Sequence, residues 1–173
     1  MLNLSKYTLD LILGLILVSV IIGASPHNGF AAESMTDARA QDLVAIQQLV
    51  VKYAHVYDAL DVEGYVSVFA EDAQFTFPGN TLNGREDIRK FITAAKERRA
   101  SAPATGPATK SYHSISNTMI EFVSDSEAHH RSYWQVLTST AGGGVTVASV
   151  GVYEDVIVKQ NGQWLIQKRT IPP

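Results

Sequence analysis

Few side chains in this sequence join a useful chemistry to a placement that would let them use it. Asp58 directly follows Tyr57 and lies one residue off an apolar helical face, so its carboxylate sits beside a core rather than in free solvent. A negative charge near a helix C-terminus opposes the macrodipole, so Asp58 needs a compensating partner or a function. His113 opens a strand-like segment between Tyr112 and Ser114. A lone strand histidine is most simply a satisfied structural residue, and its worth rises only if Asp58 reaches it. His129 and His130 are adjacent in another strand-like segment and must point to opposite faces. That alternation argues against a two-histidine metal site, and no acid stands at ligand spacing beside them. His130 shares the parity of Ala128 and Ser132 and is the one expected to face inward, with two surface histidines as the bland alternative. No metal and no cofactor is expected.

Composition removes other chemistries. The chain has 173 residues, a formal net charge of -3 and no cysteine. Zero cysteines excludes disulfides, thiolate metal sites and a cysteine nucleophile. A mildly acidic chain lacks the basic face that nucleic acid requires, so no nucleic-acid partner is expected. There is no Gly-x-Ser-x-Gly elbow, no His-Glu-x-x-His and no phosphate-cradling glycine loop. The glycines at 142–144 read as a hairpin tip between strands.

The elements that must position these residues follow from periodicity. Leu11 to Ile22 is an apolar run of about a dozen residues, short of the roughly 20 that span a bilayer. Lys6 precedes it, and Gly23 to Pro26 break it. Gly29-Phe30-Ala31 offers small residues for cleavage before Ala32. Residues 1–31 therefore read as a signal peptide, and 32–173 as one exported (periplasmic or secreted) domain. An uncleaved signal anchor, which would tie the chain to a membrane, is the other reading. From Thr36 or Asp37 as cap, apolar residues at three- and four-residue intervals predict a helix to about Leu60. A second helical piece is expected at Tyr65 to Phe69, and a strand at Ala73 to Phe77 closed by a turn at Pro78-Gly79-Asn80. Gly84 to Arg99 is helical again. After the loop from Ser101 to Thr109 come four long strands, at Ser111 to Val123, Ala128 to Thr140, Val145 to Lys159 and Gln163 to Ile171. Asn161-Gly162 marks a tight hairpin. Helices first and strands after indicate an α+β domain, with helices packed on one face of a curved, mostly antiparallel sheet.

The sequence resembles the SnoaL-like group of the nuclear-transport-factor-2-like superfamily, which includes scytalone dehydratase and a lindane dehydrochlorinase. The matching segments are Tyr53 through Asp61 with Phe69 through Ala73, Asn83-Gly-Arg-Glu86, His113 through Phe122, and Arg131-Ser-Tyr133. Gly151 through Asp155 and Gly162 through Arg169 complete the ordered set. The resemblance implies a cone-shaped α+β barrel around a pocket for a small, apolar, cyclic ligand, and a homodimer formed through the open sheet face. It also implies that Asp58 and His113 form a catalytic pair. A carboxylate accepting one imidazole N–H fixes the tautomer and frees the other nitrogen to move a proton, which suits a dehydration, elimination or isomerisation without a cofactor. Phe77 stands where the dehydratase has a tyrosine, so a phenol acid is missing there. Tyr57 and Tyr53 remain as pocket residues that could hydrogen-bond a carbonyl, or pack as core with a polar tip. Arg131 and Arg169 could hold an anionic group or pair with Glu154 or Asp155. Trp134 and Trp164 are most simply core. The alternative function is a non-catalytic binding or assembly module of the same fold.

Overall fold

The computed structural model describes residues 36–101, 110–139 and 142–173. The expected leader at 1–31 and the loop over 102–109 lie outside the described residues.

Helix α1 (Asp37–Asp58) starts where the Thr36 hydroxyl accepts a hydrogen bond from the Arg39 amide. Its buried residues, Ile46, Leu49, Val50, Tyr53 and Ala54, recur at the spacing of one helical face. The helix ends two residues before the expected Leu60, which adopts a left-handed φ of 51° and turns the chain. Asp61 then caps α2 (Val62–Ser67), accepting from the Gly64 amide at 3.0 Å.

Phe69, expected inside that helical piece, instead begins strand β1 (Phe69–Phe77). The cause is tertiary. Phe69 pairs with Ile166 in the sheet, and the Ile166 amide donates to the Val68 carbonyl at 2.9 Å, so the ladder captures this backbone first. After Pro78-Gly79 a short strand β2 (Asn80–Asn83) folds back on β1. Its sequence, NTLN, is too short and polar to announce itself by alternation. Helix α3 (Gly84–Ser101) buries Ile88 and Ile92.

The remaining strands are β3 (Ser111–Phe122), β4 (Glu127–Ser139), β5 (Val145–Gln160) and β6 (Gln163–Thr170). The sheet order is β2-β1-β6-β5-β4-β3, antiparallel except for the parallel pair β1–β6. This is the expected α+β architecture, helices on one face of a strongly curled, mostly antiparallel sheet. Asn161 and Gly162 both take positive φ between Gln160 and Gln163, the two-residue turn whose twist suits a hairpin.

One irregularity decides what the sheet presents inward. Strand β3 carries a bulge between Ser116 and Met119, with Asn117 at φ 53°. The bulge shifts the alternation by one. His113 and Ile115 face the same side as Ile120 and Phe122, which an unbroken strand would forbid. Ile115, Ile120 and Phe122 accordingly all pack on the core with Ala128, Ile157 and Ile166.

Candidate active site

Helix α1 delivers Asp58 at its last residue, and β3 delivers His113 near its start. Asp58 Oδ1 lies 2.6 Å from His113 Nδ1, and its Oδ2 accepts the His113 backbone N–H at 2.8 Å. The awkward charge at the helix end is thus satisfied twice by one residue. An ionised carboxylate only accepts hydrogen bonds, so the proton of the contact sits on Nδ1 and the lone pair on Nε2. Among the described residues, Nε2 has no hydrogen-bond partner. The side chains of His113 and Asp58 are 12% and 16% exposed, enough to be reached and too little to be freely hydrated.

His113 borders a cavity of about 480 Å3, within the size range of small-molecule sites. Tyr53, Tyr57 and Phe77 line it as well, as do Phe75, Phe91, Trp134, Gly151 and Tyr153. The Tyr57 ring stands edge-on to the His113 imidazole, 4.8 Å between centroids at 75°. Burial, then the neighbouring Tyr53, pushes the Tyr57 phenol above its ordinary pKa, so it remains a protonated donor at neutral pH. Tyr53 is deeper, accepting the Tyr65 hydroxyl at 3.2 Å. Aromatic rings make up about half of the wall, the rest being mostly aliphatic and proline, and His113 is its one basic side chain among the described residues.

His130 and Arg169 lie elsewhere. Neither borders this cavity. Both side chains are fully buried and meet at Asp155, whose Oδ2 is 2.6 Å from His130 Nδ1. Arg169 donates to both Asp155 oxygens, Nε at 2.8 Å and one terminal nitrogen at 2.7 Å. Burial alone would raise the Asp155 carboxyl, but the Arg169 charge and the hydrogen bonds from Arg169 and His130 override it and hold it below the ordinary range. The guanidinium lies 3.9 and 4.0 Å from the ring centres of Tyr53 and Tyr153. Arg169 therefore supports two rings of the cavity wall from outside it. His130 Nε2, Ser132 Oγ and the second terminal nitrogen of Arg169 are buried without hydrogen-bond partners among the described residues.

His129 faces the other side of β4, as alternation requires, near Glu127, and Arg131 pairs with Glu154 at 3.4 Å. With Met119 and Lys168 they border a second depression of about 430 Å3, at whose base the His130–Asp155 pair also contributes.

Phe75, Phe91 and Tyr153 join the site beyond the residues expected from sequence, and Trp134, expected as core, borders the cavity as well. Trp134 shares the inward parity of His130 on β4, and Phe75 the parity of Phe77 on β1, so their facing was legible. Which inward aromatics border a void and which fill one was not.

The chain matches the SnoaL-like domain over residues 38–170. No curated protein matches it. Among solved structures it is similar to a variant of Rv3472 of Mycobacterium tuberculosis, a protein of unknown function. The two share 28% identity at a TM-score of 0.66, over 80% of this chain and 76% of that one. A candidate scytalone dehydratase of Novosphingobium aromaticivorans is 27% identical, with a TM-score of 0.64 over 79% and 87% of the two chains. LinA shares the fold at 20% identity and a TM-score of 0.64, over 78% of this chain and 87% of that one. The match covers every element from α1 to β6, and on that ground the chain belongs to the SnoaL-like family.

Proposed function

We propose that this protein is a cofactor-independent lyase or isomerase, dehydratase-like in chemistry, acting on a small, uncharged, cyclic substrate. The observation that carries the reading is the 2.6 Å contact of Asp58 with His113, which stands on the wall of an aromatic-rich cavity that holds no other basic side chain among the described residues. In the forward step His113 Nε2 takes a proton from a substrate carbon made acidic by a neighbouring carbonyl. The C–H electron pair forms the new double bond as a β-hydroxyl leaves. The imidazolium gives its proton to that oxygen, so water departs and the His113 imidazole ends neutral, as it began. Asp58 holds the ring in the Nδ1–H tautomer and stabilises the imidazolium between the two transfers. Tyr57 donates to the oxygen on which charge develops.

The resemblance to a candidate scytalone dehydratase supports this class of reaction without naming the substrate. The test is a panel of cyclic β-hydroxy ketones followed by the ultraviolet absorbance of the enone product. Turnover that disappears in His113→Ala is the expected result. Turnover equal in wild type and His113→Ala would end the reading.

A binding module of the same fold is the second reading, favoured by Phe77 in place of a phenol acid. Tight binding of the same ketones with no turnover in the wild type would select it. The export reading rests on Leu11 to Ile22 and the residues that follow, and the mass of the exported protein tests it, with a start at Ala32 expected. A homodimer through the outer sheet face belongs to the same proposal, since Met119, Tyr133, Val145 and Val147 stand exposed there. Light scattering at a mass of one chain would remove it.

A further inference from the structure

Trp134 and Gly151 face each other across β4 and β5, both directed to the inner side of the sheet. The backbone of Gly151 does not have positive φ, so nothing in its conformation demands glycine. Space does. A Cβ at position 151 would stand 2.5 Å from Trp134 Cζ2, 2.6 Å from Cε2 and 2.8 Å from Nε1, closer than real contacts allow. The indole therefore lies flat across the neighbouring strand, seated on bare backbone. It stacks on Tyr153 at 5.6 Å and 23°, and comes within 6.4 Å of the His113 ring.

The other aromatic wall comes from β1 and α3. Phe75, Phe77 and Phe91 form a cluster there with centroid separations of 5.2 to 6.1 Å. The cavity thus has aromatic surfaces contributed from both halves of the sheet, β1 on one side and β4 and β5 on the other, and its lining holds no charged side chain beyond what His113 can acquire.

We propose that Trp134, seated on Gly151, is a specificity-determining residue that selects flat, uncharged ring systems over puckered ones. Resting on the cavity reading given above, this assigns the substrate class as a ring system flattened over most of its area by a fused aromatic or conjugated ring, with the tetrahedral carbons of the elimination at its edge. A flat ring gains stacking and edge contacts against the indole, and a saturated ring of the same carbon skeleton cannot make them.

The experiment uses calorimetric binding of two probes with one skeleton, 2-naphthol and trans-decahydro-2-naphthol. Wild type is expected to bind the flat probe about tenfold more tightly, the upper end of what an aromatic pair contributes beyond area. Trp134→Leu removes the indole, and Gly151→Ala unseats it by adding the Cβ. In both, the ratio is expected to fall to about two or less. The variants disturb one contact from opposite sides, so either one that keeps the wild-type circular dichroism carries the test.

If the probes bind and the ratio is unchanged in a folded variant, the role of Trp134 is overturned while the cavity stands. A wild type that binds both probes equally overturns it too. If neither probe binds wild type, this inference and the cavity reading fall together. The proton-transfer reading is judged apart from all of these, by turnover in the His113→Ala variant.

Discussion

Two histidine–aspartate pairs in this molecule share one geometry and differ in everything around it. His113 and Asp58 are 2.6 Å apart, as are His130 and Asp155, through the same imidazole nitrogen. The first pair is 12% and 16% exposed and borders a cavity, whereas the second is fully buried. The second also has Arg169, which turns the pair into a charge-compensated triad with the carboxylate held below its ordinary range. A contact distance therefore does not distinguish a proton-transfer device from a structural ion network. What distinguishes them is the partial exposure of the first pair and the engagement of the carboxylate by a cation: Arg169 holds both Asp155 oxygens, whereas Arg99 beside Asp58 donates only to its backbone carbonyl.

The comparison can be broken first through stability. Asp155→Asn leaves the Arg169 charge buried without its partner, and such a change costs about 3–5 kcal/mol. Asp58→Asn sits at a partly open helix end and should cost under about 1.5 kcal/mol, the scale of a hydrogen bond. Urea unfolding of the two variants measures the difference. Equal losses would remove the distinction between a buried triad and an accessible pair.

Activity should reverse that order. Asp58→Asn is expected to lower turnover by at least about a hundredfold while the protein stays folded, the lower end of what general acid–base groups contribute. Steady-state rates at matched folded fraction check it, and a rate within about threefold of wild type would separate Asp58 from the chemistry.

Acid unfolding sharpens the contrast further. The folded pKa of Asp155 is depressed, so its contribution is present above the unfolded value near 3.8 and is lost as pH falls through the folded one. Stability should rise with pH across that acid window in the wild type. Asp155→Asn should flatten the slope, as followed by urea midpoints between about pH 2 and pH 5.

The smallest effect belongs to Tyr57→Phe. It removes a hydroxyl with no hydrogen-bond partner among the described residues, so stability should move by no more than about 0.5 kcal/mol. If Tyr57 donates to the substrate, kcat should still fall several-fold. A binding constant that weakens while kcat is unchanged would make it a uniform binding contact instead.

Much of this was legible before any coordinate. The face of α1, the Thr36 cap, the Asn161-Gly162 hairpin and the opposite facing of His129 and His130 are consequences of period and turn chemistry within a few residues. The unfavourable charge of Asp58 at a helix end was legible too, as a residue in need of a partner. Strand β2 and the transfer of Phe69 from helix to strand were not. The first hairpins onto its immediate neighbour β1 but is too short and polar to show alternation, and the second depends on a distant backbone, the parallel neighbour β6 about a hundred residues away in the chain.

By itself, then, the sequence determined the helix faces, the strand alternation, the turns and an ordered set of segments sufficient for the fold, because these are local rules of spacing. Only the tertiary structure decided the bulge at Asn117 that turns His113 inward along with Ile120, and the pairing of the second inward histidine, His130, with Asp155. It also decided that Arg169 stands behind the cavity wall while Trp134 forms part of it. The physical reason is that period states which face a side chain points to. Whether that face meets a void, a charge or another ring depends on residues brought together from the far ends of the chain.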